Sequence, residues 1–531
     1  MVEGALAHPA GGDDAIERRL LERPRSEFSR GGIDERGALL GAHTRQRSLG
    51  HAVSVAMLDT IVDHAVHSVI PCVDQPVHLG RHTGTARRRR PRMIIAAMVD
   101  DQLKHVSPEE PRILIVGAGI AGITLAQLLR ARGMHPVLID RSPDSRRMIG
   151  DNRAGYMLAL MPMVDPIIDE LECREAYLGA SVGIDRYIAH AHNGKVLRQD
   201  HLGDLLADFG DYRGISRSAL LDVLTDDDCP IAFGTTVTGL SDDGATVNLV
   251  QDSRSEQHRG RRQRNLGQEA ALAFDAVVIA DGMNSRTRRL VTGGPAATAT
   301  SESGSTAAAV SGETSPESSV DTTWGGWVCW AEADGDQSAV DEIWGDGFFL
   351  GMYPVKGAVG VFLGCPDTRQ PLGPRRLAAE VRRRLSVLTP RIDACLTAVE
   401  EAEAPFFWPL RDSRALKWSH GRTVLLGDAA AGFLPTAGIG AGMAMESAGV
   451  LADELSASAV GTSAAAALER FEARQRPRVE AAHDNSRSLA RLMFGRSRLF
   501  AFVRDQAFRV ISIRSALKPI LQLLESPPRR M

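Results

Sequence analysis

Three glycines at the end of a short apolar run have the spacing in this sequence that most directly indicates chemistry. Gly117, Gly119 and Gly122 give the pattern G-x-G-x-x-G directly after Arg112–Val116. Glycines at these places let the chain turn tightly, let a pyrophosphate approach the backbone and let the next helix pack closely on the strand. The N–H groups at the start of that helix carry partial positive charge, which favours phosphate. The stretch therefore predicts the strand, turn and helix of a dinucleotide-binding site.

An acidic residue follows at the place where such a site needs one. His135–Ile139 is predicted to be the second strand, and Asp140 stands at its carboxyl end, 23 residues after Gly117. A carboxylate there can bind both ribose hydroxyls of an adenosine and would repel a 2′-phosphate. This pattern alone leaves open whether the dinucleotide is NAD or FAD.

Two further turns combine glycine with a carboxylate after a buried strand. Asp281-Gly282 follows the predicted strand Ala271–Ala280, and Gly427-Asp428 follows Thr423–Leu426. In an open α/β sheet, ligands gather at the carboxyl ends of the strands. We therefore expect the three turns to converge on one ligand that is long enough to reach from the first turn to the last.

Length and composition limit the remaining classes of protein. The chain has 531 residues, a net charge of −4 and 6 cysteines, which are scattered. The charge gives no global reason to expect a nucleic acid or an anionic membrane as partner. The cysteine spacing predicts reduced cytosolic thiols rather than a metal site, and no apolar run approaches the roughly 20 residues of a transmembrane helix. We therefore expect a cytoplasmic protein without nucleic acid, metal or transmembrane segment.

Changes of composition predict where the chain divides. Residues 1–97 are rich in Arg, Gly and His and are expected to be a disordered or non-native extension, with translation starting at Met93 or Met98. Residues 296–319 are expected to form a low-complexity loop. The basic, amphipathic residues 457–531 predict a C-terminal helical region that packs on its own domain rather than on a membrane surface.

A second, smaller sheet is predicted from alternating and aromatic residues. Residues 320–404 contain several such runs and two helical segments, and residues 186–205 contain a hairpin around Asn193-Gly194. The stretch Tyr156–Glu172 is predicted to be helical. Three tryptophans can either line an aromatic pocket or pack between sheet and helices, namely Trp324, Trp327 and Trp330.

Taken together, the three turns resemble the single-component FAD-dependent aromatic hydroxylases, the family of p-hydroxybenzoate hydroxylase. The likeness covers residues 110–455 in order and spacing. It rests on G-A-G-I-A-G at Gly117–Gly122, on D-G and S-x-x-R at Asp281, Gly282, Ser285 and Arg288, on G-D-A-A, proline and G-x-G at Gly427–Ala430, Pro435, Gly438 and Gly440, and on R-x-x-L-x-x-x-L at Arg217, Leu220 and Leu224.

The resemblance implies an α/β fold with a Rossmann-like FAD-binding domain of the glutathione-reductase type. That domain is expected to be discontinuous, over residues 110–185, 206–295 and 405–456. The inserted substrate domain, a mixed or antiparallel β-sheet, is expected over residues 186–205 and 320–404, and the C-terminal helices follow.

The resemblance also implies which residues contact FAD. Asp140 would hold the adenosine ribose, Asp428 the ribityl chain and Arg217 the pyrophosphate, while Pro435 would face the flavin ring. No side chain is expected to be catalytic in its own right, because the chemistry is centred on the flavin. The full set of implied FAD contacts is Gly117, Gly119, Ile120, Ala121, Gly122, Asp140, Arg141, Arg153, Arg217, Asp281, Gly282, Gly427, Asp428, Pro435, Gly438, Gly440 and Ala441.

The expected activity is that of an FAD-dependent monooxygenase. It would use NAD(P)H, as a transient visitor to bound FAD, and O₂ to hydroxylate or epoxidise an aromatic or polycyclic small molecule through a flavin C4a-hydroperoxide. Two alternatives stay open, an FAD-dependent reductase of isoprenoid-type double bonds and a non-catalytic FAD-binding sensor. A flavin halogenase is disfavoured because its W-x-W-x-I-P pattern is missing. Ala431 and Gly442 depart from the His and Asn that the family often has, which bears on the contacts at the flavin edge.

Overall fold

The computed structural model describes residues 95–144, 156–225, 228–251, 269–293, 317–333, 336–403, 405–458, 463–495, 497–510 and 512–528. Of the predicted extension over residues 1–97, residues 1–94 therefore lie outside the described residues. The same holds for residues 296–316 of the predicted loop and for Arg153.

The elements are numbered in chain order. The strands are β1 (Ile113–Val116), β2 (Val137–Asp140), β3 (Met157–Leu160), β4 (Val182–Gly183), β5 (Arg186–His190), β6 (Val196–His201), β7 (Arg213–Ser216), β8 (Ala232–Phe233), β9 (Thr235–Leu240), β10 (Thr246–Gln251), β11 (Glu269–Ala273), β12 (Ala276–Ile279), β13 (Glu317–Ser318), β14 (Asp321–Glu332), β15 (Ala339–Trp344), β16 (Phe349–Val355), β17 (Ala358–Pro366), β18 (Phe406–Arg411), β19 (Ser413–Ala415), β20 (Ser419–His420), β21 (Thr423–Leu425) and β22 (Ala431–Gly432). The α-helices are α1 (Ile95–Leu103), α2 (Ile120–Ala131), α3 (Asp165–Glu170), α4 (Arg174–Ala180), α5 (Leu202–Leu206), α6 (Arg217–Thr225), α7 (Arg286–Thr292), α8 (Gly373–Arg384), α9 (Pro390–Glu401), α10 (Gly440–Ser458), α11 (Ala464–Met493), α12 (Arg498–Val510) and α13 (Ile513–Glu525).

A six-stranded sheet carries the three turns that the sequence singles out. Its strand order is β20-β21-β12-β1-β2-β8. β1 pairs in parallel with β12 and with β2, and β12 pairs in parallel with β21. β1 and β12 are buried along their whole length, as expected for parallel strands covered on both faces. The carboxyl ends of β1, β12 and β21 therefore meet at one edge, and the three turns follow there.

The helix after the first turn is fixed by its apolar face and by its end. Ile123, Leu125, Leu128 and Leu129 of α2 are fully buried in the main core. The helix ends where Gly133 adopts a φ of 75°, and the N–H of Met134 donates to the carbonyl of Leu129 at 2.9 Å. This left-handed end suits glycine and returns the chain towards β2.

A seven-stranded, mainly antiparallel sheet forms the second layer. Its order is β18-β14-β17-β16-β15-β5-β6, with one parallel pair between β15 and β5. One face packs on α8 and α9 through alternate residues such as Leu350, Met352 and Val361. The intervening residues, Phe349 and Phe362 among them, point to the opposite face. The α/β fold class with a Rossmann-like region, a mixed second sheet and C-terminal helices is thus confirmed.

Two sequence-based predictions of local structure were wrong. Tyr156–Glu172 is not one helix, because β3 pairs with β7 before the helical residues of α3 begin. Ala271–Ala280 is not one strand, because the chain passes at Phe274-Asp275 from the β9–β11 sheet to β12. The Asp275 carboxylate accepts from the N–H of Arg112 at 3.0 Å, which fixes this crossing.

The described residues from 463 to 528 contain three helices, α11, α12 and α13. None of the described helices is long and apolar enough to span a bilayer. The longest, α11, contacts α10, and its residues reach the segment that follows β21.

Candidate functional site

A cavity of about 410 Å³ runs from the glycine turn after β1 to the inner face of the seven-stranded sheet. The turns after β12 and β21 also line it. The convergence predicted from three turns that each follow a buried strand is therefore present in the described part of the chain.

The three positions of the first turn hold glycine for different physical reasons. Gly117 has a φ of 107°, and a Cβ there would lie 2.6 Å from the carbonyl oxygen of Ala280. A Cβ at Gly122 would lie 1.9 Å from the carbonyl oxygen of Gly117. Gly119 differs, because nothing lies within 4 Å of the position of its Cβ. Gly117 and Gly122 are therefore needed for packing, while Gly119 keeps space open on the cavity side.

Asp140 is held by the turn that it faces. One carboxylate oxygen accepts from the N–H of Ala118 at 2.8 Å, and the other accepts from the N–H of Ser142 at 2.7 Å. Asp140 and Arg141 both line the cavity. A carboxylate oxygen has more than one lone pair, so each can still accept from a ligand hydroxyl.

The turn after β12 contains a buried oxygen that suits a ligand or an N–H donor. Asp281 accepts from the hydroxyl of Thr287 at 3.0 Å through Oδ2, whereas Oδ1 is buried and has no hydrogen-bond partner among the described residues. The adjoining Gly282 has a φ of 88° and open space where a Cβ would stand. Both residues line the cavity.

The S-x-x-R part of the second motif ties two turns together. Ser285 caps α7 by accepting from the N–H of Arg288 at 2.8 Å. The buried Arg288 guanidinium donates to the carbonyls of Ala429 at 2.8 Å and Met283 at 3.0 Å. Arg288 thus joins the turn after β12 to the turn after β21, and it does not line the cavity.

The turn after β21 presents a carboxylate with an altered affinity for protons. Asp428 lines the cavity close to Arg217 and Tyr156. One side of the Asp428 side chain is exposed to the cavity, and protein surrounds its other sides. This surrounding protein removes the carboxylate from bulk water and raises its pKa to about 6, while the charge of Arg217 opposes the shift. Burial and then the charge of Asp428 raise the pKa of Tyr156. Arg217 begins α6, and its N–H donates to the carbonyl of Tyr156 at 3.0 Å.

The segment from Pro435 to the start of α10 forms a wall of the cavity that meets β3 at Ala159. Gly438 has a φ of 60°, and its Cβ position lies 3.4 Å from the phenolic oxygen of Tyr212. The two positions that depart from the family pattern, Gly442 and Ala431, are both closely packed. A Cβ at Gly442 would lie 2.8 Å from the sulfur of Met163, and Ala431 is buried in β22. A longer side chain at Gly442 would require Met163 to shift, and a polar side chain at Ala431 would stand in a buried position.

Helix α11 holds this segment through polar residues that the sequence analysis missed. Ser486 donates to the carbonyl of Leu434 at 2.7 Å, and Thr436 donates to the carbonyl of Ser486 at 2.7 Å. The Nε2 of His483 lies 3.1 Å from the carbonyl oxygen of Gly432. Burial lowers the pKa of His483, which keeps the imidazole neutral. No local signal marks these residues, because their partners are about 50 positions away.

The other end of the cavity is apolar and aromatic. Its lining comes from the inner face of the seven-stranded sheet and from the end of α11, namely Val328, Phe349, Tyr353, Phe362, Trp408, Leu410, Met493 and Phe494. The predicted tryptophans are not in this lining. Trp324 packs on Phe494 and Trp327 packs on Phe407, each with ring centroids 5.0 Å apart.

One half-buried carboxylate, that of Glu342, positions the phenol of Tyr353 at this apolar end. Glu342 accepts from the phenols of Tyr187 at 2.8 Å and Tyr353 at 2.7 Å, and from the indole N–H of Trp344 at 2.9 Å. Burial, and then the charge of Glu342, raise the pKa of both tyrosines well above 10, so both remain donors. Gly351 pairs with Glu342, and a Cβ there would lie 2.5 Å from the Tyr353 ring. Gly351 therefore lets Tyr353 lean across the sheet to Glu342.

Most of the residues predicted to contact FAD line the cavity, namely Gly117, Gly119, Ile120, Ala121, Asp140, Arg141, Arg217, Asp281, Gly282, Asp428, Pro435, Gly438, Gly440 and Ala441. Gly122 and Gly427 lie behind it in packing positions, and a Cβ at Gly427 would lie 2.8 Å from Ala121. The open space at Gly119 and Gly282 and the free Asp281 oxygen fit a long ligand with phosphates at its middle. In the described part of the chain, no group of three or more His, Cys, Asp or Glu could hold a metal ion.

Comparisons with known proteins agree with this geometry. Residues 115–148 match the NAD(P)-binding Rossmann-like domain, and residues 215–486 match the FAD binding domain. The chain is 26% identical to 6-hydroxynicotinate 3-monooxygenase of Pseudomonas fluorescens over 65% of this chain and 82% of that protein. It is also 26% identical to the aurachin C monooxygenase/isomerase of Stigmatella aurantiaca, over 75% of this chain and 94% of that protein.

Solved structures show the same fold. Klebsiella pneumoniae HpxO complexed with FAD and uric acid superposes with a TM-score of 0.63 at 20% identity, over 78% of this chain and 97% of that chain. The tetracycline destructase Tet(55) superposes with a TM-score of 0.52 at 18% identity, over 77% of this chain and 98% of that chain. Since the match to the FAD binding domain, over residues 215–486, covers just over half of the chain, the protein belongs to that family, as a single-component FAD-dependent aromatic hydroxylase.

Proposed function

We propose that this FAD-dependent monooxygenase uses NAD(P)H and O₂ to hydroxylate or epoxidise an uncharged aromatic or polycyclic small molecule. One observation carries the proposal: a single cavity joins the three dinucleotide-type turns to the aromatic face of the second sheet. A cofactor that occupied the turns would have its reactive end beside that face.

The polar end of the cavity has the groups that FAD requires. Gly119 and the start of α2 would face the pyrophosphate, with Arg217 near it, while Asp140 would face the adenosine ribose and Asp428 the ribityl chain. Pro435 and the residues up to Gly440 would face the flavin ring. When bound and reduced by NAD(P)H, FAD would supply the activation of O₂, one atom of which would enter the substrate while the other leaves as water.

The protein's own contribution at the apolar end is to bind, orient and exclude water. Phe349, Phe362 and Trp408 offer ring faces and edges to an aromatic substrate. Among the described lining residues of the sheet side, none is a lysine, arginine or histidine, which favours a substrate without a carboxylate. The phenol of Tyr353 donates its proton to Glu342, so its oxygen can accept one hydrogen bond from the substrate.

The rival readings predict different behaviour of the purified yellow protein. A monooxygenase oxidises NADH or NADPH faster when an aromatic substrate binds, consumes O₂ and adds one oxygen atom to the product. A reductase of isoprenoid-type double bonds would reduce its substrate equally well without O₂. A sensor would bind ligand while no pyridine nucleotide reduced its flavin, and that result would contradict the proposal.

The choice of candidate substrates follows from the lining. The uncharged class is represented by unsubstituted naphthols and by aurachin C, which appears in the name of one relative. Carboxylated rings are represented by 6-hydroxynicotinate, which appears in the name of another relative. We expect stimulation of NAD(P)H oxidation by the uncharged class. Selective stimulation by 6-hydroxynicotinate would contradict the expected substrate class and leave the monooxygenase activity standing.

A further inference from the structure

The corner between α11 and α12 forms one wall of the substrate end. Helix α11 ends at Met493, and Phe494 closes it by donating its N–H to the carbonyl of Ala490 at 3.0 Å. Both Met493 and Phe494 line the cavity, although they lie outside the strands and turns that form most of it. The size of the cavity at this end therefore depends on where the corner is held.

One buried arginine holds the corner. Arg504 is 4% exposed, and its Nη1 donates to the carbonyls of Leu492 at 3.3 Å and Met493 at 3.4 Å. Its Nη2 donates to the carbonyls of Trp344 and of Gly345, the latter at 3.2 Å. The last carbonyls of a helix lack partners within the helix and attract a cation. A single guanidinium thus joins the end of α11 to the end of β15.

The surroundings of Arg504 leave little freedom to the corner. The guanidinium lies over the rings of Trp344, at 5.6 Å, and Phe500, at 5.8 Å. A Cβ at Gly495 would lie 2.1 Å from the Phe500 ring, so only glycine fits there. The ring of Phe494 itself packs against the ring of Trp324 on β14. Phe494 is therefore fixed between the sheet and the cavity.

The energetics of Arg504 point to a role beyond general stability. All four of its hydrogen bonds to described residues end on carbonyl oxygens, and the charges of Asp505 and Asp346 favour the cation. A buried guanidinium is costly unless its surroundings are built for it. Well-packed apolar side chains would fill the same space at lower cost. What they would not do is hold the two carbonyls before Phe494 in a fixed place.

We propose that Phe494 is a specificity-determining residue for the substrate end and that Arg504 is the positioning residue that sets its place. Together they limit the size of the aromatic ring system that the cavity accepts. This inference rests on the proposed function only in assigning the apolar end to the substrate. It extends the site to a helix corner that sequence motifs do not mark.

The test measures binding rather than turnover, so that it stands apart from the redox chemistry. Phenol, 1-naphthol and 9-phenanthrol, with one, two and three rings, are titrated into the FAD-bound enzyme, and the change in flavin absorbance gives each Kd. Phe494→Ala is expected to favour 9-phenanthrol over 1-naphthol by about tenfold relative to the wild type, because it removes the ring that limits the cavity. Phe494→Trp is expected to shift the ratio the opposite way.

The arginine variants test the positioning role. Arg504→Gln is expected to shift the same ratio as Phe494→Ala does, by about threefold or more, although Arg504 does not line the cavity. Arg504→Lys, which keeps the cation, should lie closer to the wild type. Arg509→Gln is the matched control, since Arg509 is exposed on the same helix and, within the described part of the chain, its guanidinium donates to the side chain of Gln506.

The outcomes separate the possible failures. A merely structural role for Arg504 would weaken all three probes alike or lower the FAD content, with the ratio unchanged, and would overturn the positioning role. An unchanged ratio in Phe494→Ala would overturn the specificity role even if Arg504→Gln did not fold. If no probe bound the wild-type enzyme, the inference and the expected substrate class would both fall. Normal probe binding without NAD(P)H oxidation would count against the proposed activity alone.

Discussion

The two ends of the cavity are built in different ways. At the dinucleotide end, short segments each supply a strand, a turn and a glycine, and the residues that line the cavity are neighbours in sequence. At the substrate end, the lining comes from β14, β16, β17, β18 and the end of α11, one or two residues from each. The first end is specified locally, whereas the second depends on register and on long-range hydrogen bonds. Substitutions should therefore separate cofactor binding from substrate binding.

The largest effect is expected from Gly117→Ala. A Cβ there would meet the backbone of Ala280 at 2.6 Å, and the φ of 107° is strained for any residue other than glycine. We expect destabilisation on the order of 3 kcal/mol or more together with loss of FAD. Thermal melting of the apoprotein and the flavin content of the purified protein measure the two effects.

Gly119→Ala is the matched control for that substitution. Its φ of −82° suits alanine, and nothing lies within 4 Å of the Cβ position. The unfolding free energy of the Gly119→Ala apoprotein should therefore stay within about 1 kcal/mol of the wild-type value. The added methyl group, where the phosphates would approach the backbone, is expected to lower the affinity for FAD. Equal stability losses in the two variants would show that the glycines do not divide into packing and ligand-facing roles.

Arg288→Gln should have the next largest effect, because Arg288 joins the turn after β12 to the turn after β21. Glutamine is too short to reach both carbonyls that Arg288 now binds, which leaves a buried acceptor without a partner. We expect a loss of about 1–3 kcal/mol in unfolding free energy and weaker FAD binding. Arg289→Gln, at the exposed neighbouring position, should change neither quantity. An effect of equal size at Arg289 would indicate a general loss of positive charge instead.

The difference between the two ends also explains how much the sequence could predict. The turns at Gly117, Asp281 and Asp428 were found because each lies next to its own strand. Arg288 was identified as part of a motif, but its role in joining two turns depends on a contact over 141 positions. Glu342, Gly351 and Tyr353 carried no local signal, since their proximity depends on which strand pairs with which.

The tryptophans illustrate the same limit. Trp324 and Trp327 lie three positions apart on β14, so they point to opposite faces of the sheet, and each packs on a phenylalanine from a distant segment. Trp408, which does line the cavity, stands on β18 in a stretch that gave no reason to expect a pocket. Alternation fixes which residues share a face, while the face that meets the cavity depends on the fold as a whole.

Glu342→Gln tests the substrate end alone. A glutamine amide retains one oxygen acceptor and adds an N–H₂ group, so at least one of the three donors to Glu342 loses a good partner. We expect FAD content to stay unchanged and the affinity for 1-naphthol to fall about tenfold, since Tyr353 is no longer held. Tyr187→Phe, which removes a donor that does not line the cavity, should have the smaller effect on 1-naphthol. Loss of FAD in Glu342→Gln would contradict the separation of the two ends.

The smallest effect is expected from Asp428→Asn, and it compares the carboxylates of the two ends. Glu342 receives three hydrogen bonds from its surroundings, whereas Asp428 opens onto the cavity with a pKa raised to about 6 by burial. Because the folded pKa lies above the unfolded one, the folded apoprotein binds a proton that the unfolded chain does not bind between about pH 4 and 6. The stability of the wild-type apoprotein relative to Asp428→Asn should thus rise as the pH falls through 6 and decline as the pH rises through it. Because Asp428 is exposed to the cavity, melting both apoproteins at pH 7.5 and 5.5 should reveal a change of at most about 1 °C in the difference between their Tm values. A constant difference would mean that water in the cavity already solvates Asp428 as fully as water does in the unfolded chain, and a change of the opposite sign would contradict a raised pKa.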